Sequence, residues 1–135
     1  MPRIFGHDLL AVIAAAVAIY IIGFLIYGLL FSGFWMAQYG YTADSFAGHE
    51  WKMFLGPIMP ILTTLGLAAL FQAANASGLN AHIRIGVIAW AGFSLSTLLY
   101  GFAYGTMVTP GALALDAIHL LLGILAASAI LVWRK

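Results

Sequence analysis

The chain has no cysteine. That absence removes disulfides, thiolate nucleophiles and thiolate metal sites together, and with them any inference about redox compartment. Charge is nearly as scarce, with five Lys and Arg and four Asp and Glu making up 7% of 135 residues, where soluble domains carry about 25%. So few charges cannot give a water-facing shell to a chain that is 64% hydrophobic. The basic residues Arg3, Lys52, Arg84, Arg134 and Lys135 are scattered, and no basic patch with interleaved polar and aromatic side chains exists to track phosphates, which excludes nucleic acid as a partner. Proline is rare as well, so each internal one carries weight: Pro57 and Pro60 start or bend a helix, and Pro110 suits a first helical position.

What the chain does have is apolar length. Mean hydropathy is +1.07, and four runs dominate: Leu9 to Phe31, Met53 to Phe71, Ile85 to Met107 and Gly111 to Trp133. Each is long enough at about 1.5 Å per residue to cross roughly 30 Å of hydrocarbon. The length accommodates a single transmembrane domain over residues 1–135, with helices at about 9–36, 53–74, 83–107 and 110–133. The expected fold is an all-α integral membrane four-helix bundle, with the lipid bilayer as its surroundings. The first run exceeds the 7–15 apolar residues of a secretory signal core and no small-x-small cleavage site follows, so it reads as an anchor.

The connections carry the polar chemistry. Beyond Phe31 the stretch Gly33 to Tyr41 is rich in amphipathic aromatics of the kind that settle among lipid headgroups. Asp44, His49, Glu50 and Lys52 then crowd the loop from Thr42 to Lys52. Asn75 to Asn80 is a short turn, and Thr109-Pro110-Gly111 supplies a helix start with Thr109 as N-cap. Four helices put both termini and the Asn75 turn on one side, with Arg3, Arg84, Arg134 and Lys135; the other side has Lys52 alone. Lysine and arginine in short loops are retained in the cytoplasm, so both termini are expected there.

The costliest residues to place are Asp116 and His119, because an ionised carboxylate at the centre of a transmembrane helix costs roughly 2.5–3.5 kcal/mol on insertion scales. Three positions apart, they share a helix face, so the aspartate can hydrogen-bond the imidazole and fix its tautomer. A tight hairpin of helices three and four about Val108 sets Asp116 near the level of Tyr100 and His119 near that of Thr97, and so predicts a Tyr–Asp–His–Thr network. That network is a candidate binding or proton-handling site, or a hydrogen-bonded clip between helices. His49 and Glu50, joined by Asp44, Asp116 and His119 from the same side, are candidate metal ligands, although adjacent His-Glu has no fixed ligand spacing. His7 and His82 read as interfacial histidines in preference to haem ligands. Ser94, Thr97, Gly101 and Gly105 on helix three, with Gly101-x-x-x-Gly105 among them, form a small-residue packing surface that could also meet another copy of the chain.

Three stretches resemble a bacterial family of small membrane proteins known only as domain of unknown function number seventeen sixty-one. They are Gly23-Phe24-Leu25-Ile26-Tyr27-Gly28-Leu29-Leu30-Phe31-Ser32-Gly33-Phe34-Trp35-Met36, then Ile88-Ala89-Trp90-Ala91-Gly92-Phe93, and Asp116-Ala117-Ile118-His119-Leu120-Leu121. Ile26 stands where the family commonly has tryptophan, and Asp116 where asparagine is common. The resemblance implies a four-helix protein of the bacterial inner (plasma) membrane, points again to His119, and carries no assigned activity or cofactor. The leading expectation is therefore a non-enzymatic homo-oligomer or accessory subunit of a membrane complex, with a buried Asp/His site near the outer side. A small oligomeric transporter or channel, and a membrane metal-binding protein or enzyme, are the alternatives.

Overall fold

Residues 1–133 are described, in a computed structural model; Arg134 and Lys135, counted above in the sidedness argument, lie outside the described residues. The chain opens on a minimal hairpin, β1 (Arg3–Ile4) antiparallel to β2 (His7–Asp8). Phe5 and Gly6 at its tip take φ of 48° and 77°, the left-handed pair that a two-residue hairpin turn needs. Asp8 then caps the first helix by accepting the Leu10 amide at 2.8 Å.

That helix, α1 (Leu9–Leu30), is regular as far as Gly23 and then widens into a π-helical segment, Phe24–Leu30. It stops at Phe31, whose backbone is not helical, and α2 (Ser32–Tyr39) continues the path to Gly40, which closes it in the left-handed conformation. The expected single helix to residue 36 is thus two pieces. Two 3₁₀ turns, Ala43–Phe46 and Glu50–Leu55, lead to α3 (Ile58–Ala73). Pro57 precedes it and Pro60 lies in its first turn, where the missing amide hydrogen costs nothing. After the Asn75 turn comes α4 (Gly78–Tyr104), itself π-helical over Trp90–Leu95, and then α5 (Pro110–Trp133), whose N-terminus is capped by the Thr109 hydroxyl accepting the Ala112 amide at 3.1 Å.

The helical spans Leu9–Leu30, Glu50–Ala73, Gly78–Tyr104 and Pro110–Trp133 are each long and apolar enough to cross a membrane. They pack through small residues, as helices must where lipid tails are as apolar as leucine. Ala11, Ala15, Ala68, Ala112 and Ala127 are fully buried. A Cβ added at Gly123 would sit 3.5 Å from Ile19, and one at Gly86 only 2.5 Å from the Ser128 hydroxyl. α1 and α5 therefore run antiparallel at the centre, with α3 and the first half of α4 against them and Phe71, Leu67, Ile124 and Leu131 between. Leu30, Leu62, Ile88 and Phe93 stay largely exposed, as suits the outward faces of helices apolar enough to cross a membrane.

Two expectations change here. Gly101 has nothing within 4 Å and Gly105 meets only its own helix, so within one chain the packing glycine of α4 is Gly86, and the Gly101-x-x-x-Gly105 pair is left to the other use read for it, contact with another copy. His7 and His82 are wholly buried inside the protein at the Asn75 end, packed on Phe71 with their rings 5.9 Å apart. Each Nδ1 pairs with a main-chain oxygen, Phe5 at 2.8 Å and Gly78 at 2.9 Å.

Candidate functional site

The second and third turns of α5 bring Asp116 and His119 to the face that looks at α1, at the end of the molecule where Thr109 lies. Both carboxylate oxygens of Asp116 are taken. The Tyr27 hydroxyl donates to Oδ1, and the Tyr39 hydroxyl donates to Oδ2 at 2.8 Å. One donor comes from the π-helical part of α1 and the other from the last residue of α2, so a single carboxylate ties three elements together. These two phenols are its only hydrogen-bond partners among the described residues, and neither carries a countercharge.

His119 lies against Tyr27 with ring centres 4.8 Å apart and planes at 70°, the edge-to-face contact that aromatic quadrupoles favour. Its Nε2 fills the place of a side chain at Gly23, where a Cβ would be 3.1 Å away. The direct aspartate–imidazole bond that the three-residue spacing invites is replaced by this arrangement, in which Tyr27 serves both. From the other side, Trp90 at the start of the π-helical part of α4 donates its indole N–H to the Ala117 oxygen at 2.9 Å. Both π-helical segments therefore meet the same turn of α5. Such widenings interrupt the regular ladder and cluster at functional positions.

α2 closes the site. The Thr109 hydroxyl donates to Gln38 Oε1, and Gly111 makes room for that contact, since a Cβ there would lie 2.6 Å from Gln38 Oε1 and 3.1 Å from Phe34. Trp35 stands among Tyr27, Tyr39, Tyr41 and Phe46 at 5.4–6.0 Å between ring centres. Partial burial, and then the bond to Asp116 and its negative charge, push the Tyr39 phenol up to about 12, so it remains a donor at any physiological pH.

Of the residues expected at the site, Asp116 and His119 are brought together; Tyr100 and Thr97 are elsewhere. Tyr100 is 66% exposed and stacks on Tyr104, and the Thr97 hydroxyl donates back to the Phe93 oxygen at 2.6 Å within its own helix. Depth along a hairpin sets which residues are level but not which way each points, and these two point outward. His49, Glu50 and Asp44 are exposed on the 3₁₀ turns, and among the described residues no three His, Asp or Glu side chains gather to hold a metal. The residues missed from sequence are Tyr27, Tyr39, Gln38 and Trp90. A signal existed for Tyr27 and Trp90, which fall inside the first and second stretches quoted for the family resemblance. Gly23, Tyr27 and Trp35 from the first stretch, Trp90 from the second, and Asp116 and His119 from the third all converge on this one place.

The model of a family described as protein of unknown function (DUF1761) matches residues 10–132. No curated protein and no solved structure matches the chain.

Proposed function

The chain belongs to the DUF1761 family, and on that premise we propose that it is a non-enzymatic, multi-pass protein of the bacterial inner membrane, a homo-oligomer or the accessory subunit of a membrane complex, whose Asp116 site is a polar clasp. The clasp holds the first and last helices together near the outer face, with both termini in the cytoplasm. The observation that carries this reading is the occupancy of Asp116: each carboxylate oxygen already has a phenol, so the group is spent on holding α1, α2 and α5 in register. The imidazole supports it from the side, with its Nε2 against Gly23 and no hydrogen-bond partner of its own among the described residues. Arg3 and Arg84 at the Asn75 end support the sidedness.

A clasp predicts stability effects. Interhelical hydrogen bonds in membranes are worth about 0.6 kcal/mol on average and up to about 1.7, and the Tyr27 bond, made by the more deeply buried of the two phenols, belongs at the upper end. Tyr27→Phe is expected to lower the melting temperature of the detergent-purified protein, and Asp116→Asn in that background to add little more. If Tyr27→Phe and Asp116→Asn each leave the melting temperature unchanged, the clasp is wrong. The mass of the extracted particle tests the second half: a bare monomer with no co-purifying protein removes the oligomer or subunit.

A further inference from the structure

We propose that α2 is a hinged lid over the Asp116–His119 cluster, held shut by two side-chain latches and opening at the Thr109 end of the protein. The inference rests on the reading of that cluster as the protein's site. α2 has the build of a movable piece: it is eight residues long, none of them is buried, and it is set off at both ends by non-helical backbone. At Phe31 the φ, ψ pair is −124°, 18°, where the π-helical segment gives out, and at Gly40 φ is +67°. The ladder of α1 ends on the Phe31 amide, which donates to the Ile26 oxygen at 2.8 Å, and that of α2 begins on the Phe31 oxygen, which accepts from the Trp35 amide at 2.8 Å, so the two helices share this one residue as their joint.

What fastens α2 lies at its far end. The Tyr39 hydroxyl is bonded to Asp116 Oδ2 and the Gln38 side chain to the Thr109 hydroxyl, both on or just before the first two turns of α5. Trp35 covers Tyr27 between the hinge and the latches. Beneath lie Tyr27, Asp116 and His119, all only half-buried. Asp116 remains bonded to Tyr27 when Tyr39 lets go, so opening leaves the clasp between α1 and α5 in place while exposing one carboxylate oxygen and the imidazole. Gly111 is the seat of the latch, because a Cβ there has to push the Gln38 carboxamide aside and presses on Phe34.

The absence of cysteine makes the test clean. His119→Cys places a thiol under the lid, and Ser45→Cys places one on the exposed 3₁₀ turn as a reference. In detergent, with a water-soluble thiol reagent, the first is expected to react much more slowly than the second. Gly111→Ala, which wedges the lid while favouring helix in α5, and Tyr39→Phe, which cuts a latch, are each expected to speed the His119→Cys reaction about tenfold, the equivalent of about 1.4 kcal/mol, and to leave Ser45→Cys alone. Unchanged labelling in both, or a His119→Cys rate already equal to the reference, overturns the lid. Should the reporter fail to fold, amide exchange in the otherwise native chain decides: Gly111→Ala must cut the protection of residues 35–39 about tenfold, and equal protection overturns the proposal. The two readings separate cleanly. Tyr27→Phe that destabilises beside unchanged labelling keeps the clasp and removes the lid; accelerated labelling beside a neutral Tyr27→Phe does the reverse.

Discussion

Tyr39 is the one phenol of the site that stands outside the membrane-spanning stretches, and its titration can be followed directly. Its folded-state value, raised to about 12 from an ordinary 10.0, means that its hydrogen bond contributes fully below pH 10 and is lost as pH rises through 12. The expected outcome is a late phenolate absorbance step in the folded protein that Tyr39→Phe deletes; if the variant keeps the same late step, Tyr39 does not face the carboxylate. That Asp116 and His119 share one helix face was legible before any coordinates, from their three-residue spacing; the direct bond expected between them is not formed, because both carboxylate oxygens accept from phenols. Their partners were not legible. Tyr27 sits in a run that gives no sign of widening into a π-helix, and that widening alters which residues of α1 face α5. Tyr39 lay in a stretch of aromatics that reads equally well as an interfacial belt.

Among the elements, α4 shows most sharply what periodicity can and cannot reveal. Its span, its apolar character and its small residues were all visible, but small residues serve two purposes on a transmembrane helix, and sequence alone does not say which of them touch a neighbour. Gly86 does: a methyl there would overlap the Ser128 hydroxyl and press on Ile124, both buried in α5. Gly101 does not. Beyond Leu95 the helix contributes no buried residue and touches α5 more sparsely, so α4 is fastened to α5 chiefly by the contacts near Gly86 and by the Trp90 bond. Gly86→Ala should therefore destabilise the protein by about 1–3 kcal/mol, the range for forcing extra methyl groups into a packed contact. Gly101→Ala should be neutral or stabilising by up to about 1 kcal/mol, the gain of alanine over glycine in a helix. Paired thermal melts in detergent compare the two, and equal effects would mean that α4 packs in another register.

At the scale of the whole molecule the polar groups are sorted by end, and that sorting is what gives the protein a direction. Near the Asn75 end lie Arg3 and Arg84, with His7, Asp8 and His82 buried just inside. Near the Thr109 end lie the exposed turns that hold Asp44, His49, Glu50 and Lys52, and just inside them the Asp116 site. Between the ends the core is alanine, valine, leucine, isoleucine and phenylalanine, broken by the fully buried Thr64 and Ser128. The helix count was legible because hydrocarbon thickness leaves little freedom in span length. Interhelical contacts were less so, because in lipid no hydrophobic contrast marks the inward face of a helix. The proposed sidedness follows from retention of basic residues on the cytoplasmic side, and two exposed positions report on it in a chain free of cysteine. In intact spheroplasts an impermeant thiol reagent should label Ser45→Cys at once and Asn80→Cys only after the membrane is broken. The opposite pattern would put the Asp116 site on the cytoplasmic face, and the lid over it would then open inward.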